Sequence, residues 1–103
     1  MRGWRSQSVA ANPIAEGKKN VPTTTAKQLV ATTQLCRSVL LRAGLDNSGL
    51  VYIGSSLISA SGPGLEAGQV VVFEGPTIQS VDLNKIYCIA SASGQTLDWW
   101  ALG

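Results

Sequence analysis

The sequence predicts an all-β fold: a small antiparallel β-sandwich or jelly-roll-like barrel with an extended N-terminal arm. Short stretches in which apolar residues recur with a period of two follow one another along the chain, so alternate side chains can face a core. Clusters of glycine, proline, serine and asparagine separate these stretches at regular intervals, as in sandwiches and small barrels. The 103 residues contain no convincing helical period and suffice for one domain with a modest core.

The N-terminal residues 1–22 differ from the rest, and we assign them to the arm and residues 23–103 to the sandwich. The arm is polar, contains Pro13 and Pro22, and has neither helical nor strand periodicity over a useful length. Alone, such a segment buries too little apolar surface to offset its ordering entropy, so we expect a partner to order it. Its candidate anchors are Trp4, Arg5, Val9 and Ile14.

The strands are predicted from alternation and β-propensity. The run of three valines in QVVVFE is the clearest, because β-branched side chains fit a pleated surface. Leu65–Gly68 predicts a tight turn with a positive φ at Gly68, and 91–95 predicts a hairpin turn between the last two strands. The connection 55–64 has room for a further short strand at 57–59. The main predicted strands are 26–31, 38–43, 50–54, 69–74, 85–90 and 96–102.

The segment 38–54 predicts two strands of one sandwich wall, separated by a turn. In the first strand Val39 and Leu41 alternate with Leu40 and Arg42, and in the second Val51 and Ile53 flank Tyr52. One face of each strand can therefore be buried. The predicted inward residues are Val39, Leu41, Val51 and Ile53.

Composition restricts the kinds of partner. Charged residues make up 14% of the chain, well below the usual quarter, so we expect association with other subunits. A net charge of +2 is too small to indicate nucleic acid or an anionic membrane as a partner. No apolar run is long enough for a transmembrane helix, and Met1–Arg5 lacks the apolar region of a secretory signal. We expect a protein made in a reducing cytoplasm.

The two cysteines, Cys36 and Cys88, could form one disulfide, and the sequence does not decide whether they come within bridging distance. We favour the simpler interpretation that both are small, partly buried hydrophobic residues in strands.

The chain offers little for catalysis. It has no histidine, which removes the commonest general base and metal ligand. Asp46-Asn47-Ser48 could offer oxygens to calcium but lacks the spacing of a calcium-binding loop, so we favour an Asx-type turn. We therefore expect no enzyme activity, no metal and no cofactor. The acids fall mostly in predicted turns or at strand ends, where nothing selects a catalytic pair: Asp46, Glu66, Glu74, Asp82 and Asp98.

The dipeptide Trp99-Trp100 is the most prominent candidate site. Adjacent strand residues point to opposite faces, so one tryptophan can fill the core while the other emerges. An emerging tryptophan can pack against another subunit or stack on a sugar, and we favour subunit packing. Tyr52 and Tyr87 lie opposite the predicted core face, and we expect them to share the surface of the exposed tryptophan.

Three segments carry a resemblance to a known kind of protein: CRSVLLRAGLDNSGLVYIG at 36–54, LEAGQVVVFE at 65–74 and DLNKIYCIASASGQTLDWWAL at 82–102. Together they resemble small β-sandwich virion proteins of tailed bacteriophages, over about residues 25–102. The shared pattern is one of strands and turns rather than of chemical groups. The paired tryptophans and the final Ala-Leu-Gly depart from the simplest form of this pattern and suggest a particular interface.

The resemblance implies a structural role. We expect a capsid decoration (cement) protein that stabilises the capsid, forms a homotrimer and lies on the outer capsid surface of the virion, with the major capsid protein as partner. The arm would lie across neighbouring capsid subunits. Two other classes of function remain open: a head-tail adaptor or tail or fibre attachment protein, and a carbohydrate- or receptor-binding module. A small hydrolase is the weakest alternative.

Overall fold

The computed structural model describes residues 13–77 and 79–103. Its described residues form antiparallel strands and one short 3₁₀ turn, Leu83–Lys85, which the side chain of Asp82 caps by accepting a hydrogen bond from the Asn84 amide. The strands are β1 (Pro13–Asn20), β2 (Lys27–Gln28), β3 (Leu35–Cys36), β4 (Ser38–Ala43), β5 (Val51–Gly54), β6 (Val70–Glu74), β7 (Val81–Asp82), β8 (Tyr87–Ala90) and β9 (Thr96–Leu102).

Two sheets face each other and make a sandwich, as the sequence predicts. The larger sheet has four strands in the order β1-β9-β4-β6, and the smaller has three in the order β2-β8-β5. A two-stranded ladder of β3 and β7 completes the described fold. Every pairing among these strands is antiparallel.

The core lies between the two sheets and follows the predicted alternation. In β4 and β9 every second side chain is buried, whereas Leu40 and Trp100 on the opposite faces are partly exposed. Val39, Leu41 and Val51 are fully buried and Ile53 packs against them, so all four predicted inward residues contribute to the core. The buried cluster from strands comprises Cys36, Val39, Leu41, Val51, Cys88, Ala90, Leu97, Trp99 and Ala101.

Strand bounds match the expectations best where the alternation is strong. The bounds of β4 and β9 are those predicted, and β5, β6 and β8 are one or two residues shorter at their N-terminal ends. The first predicted strand, 26–31, shrinks to β2, and 57–59 lies outside any strand, with Leu57 almost fully exposed. Gly68 has the predicted positive φ, +80°.

Part of the arm lies in a strand that the sequence pattern does not predict. Residues 13–20 have no strand periodicity, yet they form β1 and pair with β9 over nearly the whole length of both strands. Ala15 packs against the core, and Gly17 lies against the indole of Trp99, where a Cβ atom would sit 2.8 Å from Cζ2. The four-stranded sheet therefore includes residues 13–20 of the arm as its edge strand.

Two predicted strand partnerships are also wrong. β8 and β9 do not form a hairpin, because β8 pairs with β2 and β5 while β9 pairs with β1 and β4. Likewise β4 and β5 belong to opposite walls rather than to one wall. In both cases the connecting segment crosses between the sheets, and the inward-facing residues meet across the core instead of side by side.

Candidate interaction surface

The second side of the four-stranded sheet faces away from the core, and we call it the outer face. Its central residues form two cross-strand rows. The first row runs Glu16, Trp100, Leu40, Val72, and the second runs Lys18, Asp98, Arg42, Val70. Each row crosses β1, β9, β4 and β6 in that order, so charge is concentrated near β1 and apolar surface near β6.

Arg42 contacts one residue in each of the two rows. Its Nη2 atom donates a hydrogen bond to Oδ2 of Asp98 at 2.9 Å, and its guanidinium lies 5.3 Å from the centroid of the Trp100 ring. An ion pair and a cation–π contact made by one guanidinium both favour the same position of the arginine side chain. Arg42 therefore joins the charged residue Asp98 to the aromatic ring of Trp100 on the outer face.

The outer face exposes more apolar surface towards β6. Val70 and Val72 are 49% and 50% exposed, and Leu40 and Trp100 beside them are only partly buried. Because these residues occupy neighbouring positions on adjacent strands, their surfaces join into one band. A continuous apolar band on a small domain is typical of a protein-protein contact.

Beside this band the outer face has a shallow, open concavity of about 380 Å³. It lies over β1 and β9 and combines both signs of charge with an aromatic ring. Such a depression can accept a side chain or a sugar ring of a partner. Its lining residues are Glu16, Gly17, Lys18, Arg42, Asp98 and Trp100.

The loop that the sequence offered as a weak calcium candidate has a structural role. The Asn47 side chain donates to the carbonyl oxygen of Thr96 and accepts from the Thr96 amide, both at 2.9 Å. The buried Gln95 side chain accepts a hydrogen bond from the Gly49 amide at 2.8 Å. Within the described ranges, no three acidic, cysteine or histidine residues form a group that could hold a metal ion.

Both cysteines are free and buried, as the simpler interpretation of the sequence predicted. Burial raises the pKa of the Cys88 thiol to about 11, against a small opposing effect of the Lys19 charge. Burial also raises the pKa of Cys36, and the neighbouring Asp82 carboxylate adds to the increase. Both thiols are therefore protonated and poorly nucleophilic at neutral pH.

The structure separates the predicted aromatic residues. Trp99 fills the core and Trp100 emerges on the outer face, as expected for neighbours in a strand. The expectation that Tyr52 and Tyr87 share the surface of Trp100 is wrong, because both lie in the three-stranded sheet on the other side of the sandwich. Tyr52 is also buried, with Gly64 packed against its ring.

The predicted anchors of the arm fall into two groups. Trp4, Arg5 and Val9 lie outside the described residues. Ile14 is exposed and sits where the register between β1 and β9 shifts between Pro13 and Ala15.

Of the eight residues in the two rows of the outer face, sequence reasoning selected only Trp100 as a site residue and missed Glu16, Lys18, Leu40, Arg42, Val70, Val72 and Asp98. A signal was available, because Arg42 and Asp98 occupy outward positions in strands whose bounds were predicted correctly. Their meeting depended on the pairing of β4 with β9, which are 56 positions apart at this contact. Alternation within one strand carries no information about its partner strand.

Comparison with known proteins finds no relative of this chain. No protein-family model matches the chain, and neither the curated proteins nor the solved structures include a significant match. In the part of the chain that the structure describes, no helix is long and apolar enough to cross a membrane.

Proposed function

We propose that this chain is a non-catalytic structural protein of a tailed-phage virion, and that it decorates the outer capsid surface by binding the major capsid protein. The proposal rests on the family resemblance of residues 25–102 together with the outer face. The observation that carries it is the apolar band that includes Trp100, Leu40 and Val72 and crosses the sheet beside the Arg42–Asp98 ion pair. This combination fits docking on a protein surface.

The N-terminal segment supports the same role by its position. It precedes Pro13, where β1 begins, and Glu16, Gly17 and Lys18 of β1 line the concavity next to Trp100. The proposal therefore gives Trp4, Arg5 and Val9 a second contact with the same partner. Two linked contacts raise the effective affinity, and many copies on a symmetric shell raise it further.

The direct test is the copy number of the chain in purified virions of the phage that encodes it, measured by quantitative mass spectrometry. Hundreds of copies are expected for a decoration protein. About a dozen copies or fewer would instead favour the second candidate, a head-tail adaptor or tail attachment protein.

A binding test uses shells of the major capsid protein and two aromatic substitutions. Trp100→Ala removes the ring from the outer face, and Tyr87→Ala is its matched control on the opposite side of the sandwich. We expect the first to reduce occupancy of the shells at least tenfold and the second to leave it within about twofold, since buried aromatic anchors dominate interfaces. Equal occupancy of both variants and the unmodified chain would contradict the proposal.

A carbohydrate- or receptor-binding function has one observation in its favour, which is the concavity where Trp100 lies beside Asp98 and Arg42. An aromatic ring next to polar groups is a common arrangement for binding a sugar. Glycan-array binding that Trp100→Ala abolishes, without any binding to capsid shells, would favour this function over decoration.

A further inference from the structure

The free edge of β6 differs from every other edge of the sandwich in how little protects it. Among the described residues β6 pairs with β4 alone, and its first four residues are Val70, Val71, Val72 and Phe73. Natural edge strands usually carry charges, proline or a bulge that discourage pairing with another chain. From residue 70 to 73, β6 has none of these, and its register with β4 is regular.

The backbone of β6 is ready to accept another strand. At its two ends, the Gln69 carbonyl accepts from the Ala43 amide and the Gly75 amide donates to the Arg37 carbonyl, so residues 69 and 75 face β4. Peptide groups alternate between the two sides of a strand, so residues 71 and 73 also face β4. The amides and carbonyls of Val70, Val72 and Glu74 consequently point to the free edge.

The inward side of the same edge is apolar and incompletely filled. A groove of about 170 Å³ lies between β6 and the smaller sheet, next to the partly exposed side chains of Val71 and Phe73. The edge of β5 below it is closed, because Val51 and Leu65 exchange two backbone hydrogen bonds. The groove is lined by Val51, Ile53, Pro63, Gly64, Leu65, Val71 and Phe73.

We propose that the occupant of this edge is β6 of a second copy of the chain, paired antiparallel about a two-fold axis at Val72. In this register the two Val72 residues form a hydrogen-bonded pair, and Val70 of each copy lies opposite Glu74 of the other. Each hydrogen-bonded position then uses the peptide groups that point to the free edge. Val71 and Phe73 of the two copies meet on the inward side, beside the two grooves.

Charge complementarity favours a second copy in this register. The charged row of the outer face runs Lys18, Asp98, Arg42, Val70, and the register places the partner's Glu74 next in line. The sign of charge therefore alternates along the row, with Val70 as a neutral spacer. Arg42 and the partner's Glu74 are two strand spacings apart, about 10 Å between Cα atoms, which two long side chains can span.

The pairing also makes the apolar band continuous. The row that ends at Val72 meets its own symmetry copy, so Trp100, Leu40 and Val72 of one copy adjoin the same residues of the other. Burying half-exposed valines on one face and partly exposed Val71 and Phe73 on the other favours association by the hydrophobic effect. The inference does not depend on the proposed virion role.

The test combines sedimentation equilibrium with site-specific crosslinking of the full chain. The unmodified protein is expected to sediment with twice the 10.8 kDa mass of one chain. Val72→Lys places two lysines face to face at the axis, and we expect it to weaken the dimer at least about tenfold, because directly opposed like charges destabilise a sheet. Asn20→Lys, on the outward face of β1, is the matched control and should leave the dimer intact.

Crosslinking tests the register proposed for the two β6 strands. Val72→Cys places two thiols on residues whose Cα atoms are about 5.5 Å apart, within disulfide range, so mild oxidation should give a covalent dimer. Val70→Cys on the same strand should not crosslink, because the two copies of residue 70 are about 13 Å apart along the paired strands. Equal crosslinking of both variants would overturn the register.

Two further results would overturn the proposal itself. One is a monomer at about 100 μM, or a monomer that dimerises only after deletion of residues 1–12, which would mean that the chain's own N-terminal segment covers β6. The other is a mass of three chains that Val72→Lys leaves unchanged, as expected for the homotrimer that the family resemblance implies.

Discussion

The two edges of the four-stranded sheet are built in opposite ways. At one edge β1 carries Pro13, the charged Glu16, Lys18 and Lys19, and a register shift near Ile14. At the other edge β6 is almost uncharged and regular. Charges, proline and irregular register discourage further pairing, so β1 protects its edge, whereas the second edge of β6 has neither such protection nor a paired strand among the described residues.

The two edge strands also differ in how their hydrophobicity relates to what they expose. β1 has more exposed positions than buried ones, yet it covers Trp99 through Gly17 and contributes Ala15 to the core boundary. β6 has the more hydrophobic sequence, yet two of its valines are half exposed. Both strands thus reach the core boundary, β1 through Ala15 and β6 through Val71 and Phe73, but β6 also exposes two apolar side chains on the outer face, Val70 and Val72.

The largest expected effect comes from deleting β1. A chain that begins at residue 21 loses the strand that covers Trp99 and leaves β9 as an unprotected edge, so we expect it to unfold or aggregate. A chain that begins at Pro13 should fold like the full chain. Circular dichroism and urea unfolding of the two truncations measure the difference, and similar stability of both would mean that β1 does not belong to the folding unit.

Gly17→Ala tests the close contact within β1. The new Cβ would lie 2.8 Å from the Trp99 ring, and because that ring is buried it has little room to shift. We expect the free energy of unfolding to fall by about 1–2 kcal/mol, since overpacking outweighs the gain from replacing glycine. Val72→Ala at the β6 edge is the counterpart and should cost no more than about 0.5 kcal/mol in the monomer. If urea unfolding showed a larger loss of unfolding free energy for Val72→Ala than for Gly17→Ala, β6 rather than β1 would be the edge strand that is more tightly packed.

Asp98→Ala tests the charged half of the outer face. It removes the partner of Arg42 in a site where the Asp98 side chain is only 12% exposed. We expect a loss of about 1–2 kcal/mol in the free energy of unfolding, because a hydrogen bond to a charged group is lost. Asp98→Asn should retain part of this stability, and Lys18→Ala, at an exposed position, should change it by less than about 0.5 kcal/mol. Thermal and urea unfolding would show whether the two aspartate variants differ.

Thiol reactivity compares the covered core with an exposed position of the same sandwich. Cys88 is buried and its pKa is raised to about 11, so its reaction with a thiol reagent at pH 8 should be at least about a hundredfold slower than that of a cysteine introduced at the exposed Asn20. Comparable rates would mean that the sandwich opens readily above Cys88.

The same pKa predicts a dependence of stability on pH. In the unfolded chain the Cys88 thiol ionises near its ordinary pKa of 9.0, whereas in the folded chain it stays protonated up to about 11. Its contribution is therefore fully present below pH 9 and is lost between 9 and 11, at up to about 1.4 kcal/mol per pH unit. The difference between the unmodified chain and Cys88→Ala isolates this effect, and a difference that does not vary with pH in this window would contradict it.

The sequence by itself determined the local features of this protein. The alternation in 38–43 and 96–102 predicted the bounds of β4 and β9 and the placement of Trp99 and Trp100 on opposite faces, because a strand sends successive side chains to opposite faces whatever its partner is. The valine run indicated β6 for the same reason, and Gly68 marked a turn that needs a positive φ.

The tertiary structure alone decided which strands meet. β1 has no apolar alternation to reveal it, since its inward positions are Ala15, Gly17 and Lys19, and its stability comes from pairing with β9. The alternation of β5 places Tyr52 opposite the core face, yet its ring is buried with Gly64 packed against it. Arg42 contacts Asp98 only because β4 pairs with β9. Periodicity specifies how one strand divides between two faces, but the choice of neighbour depends on burial summed over the whole core.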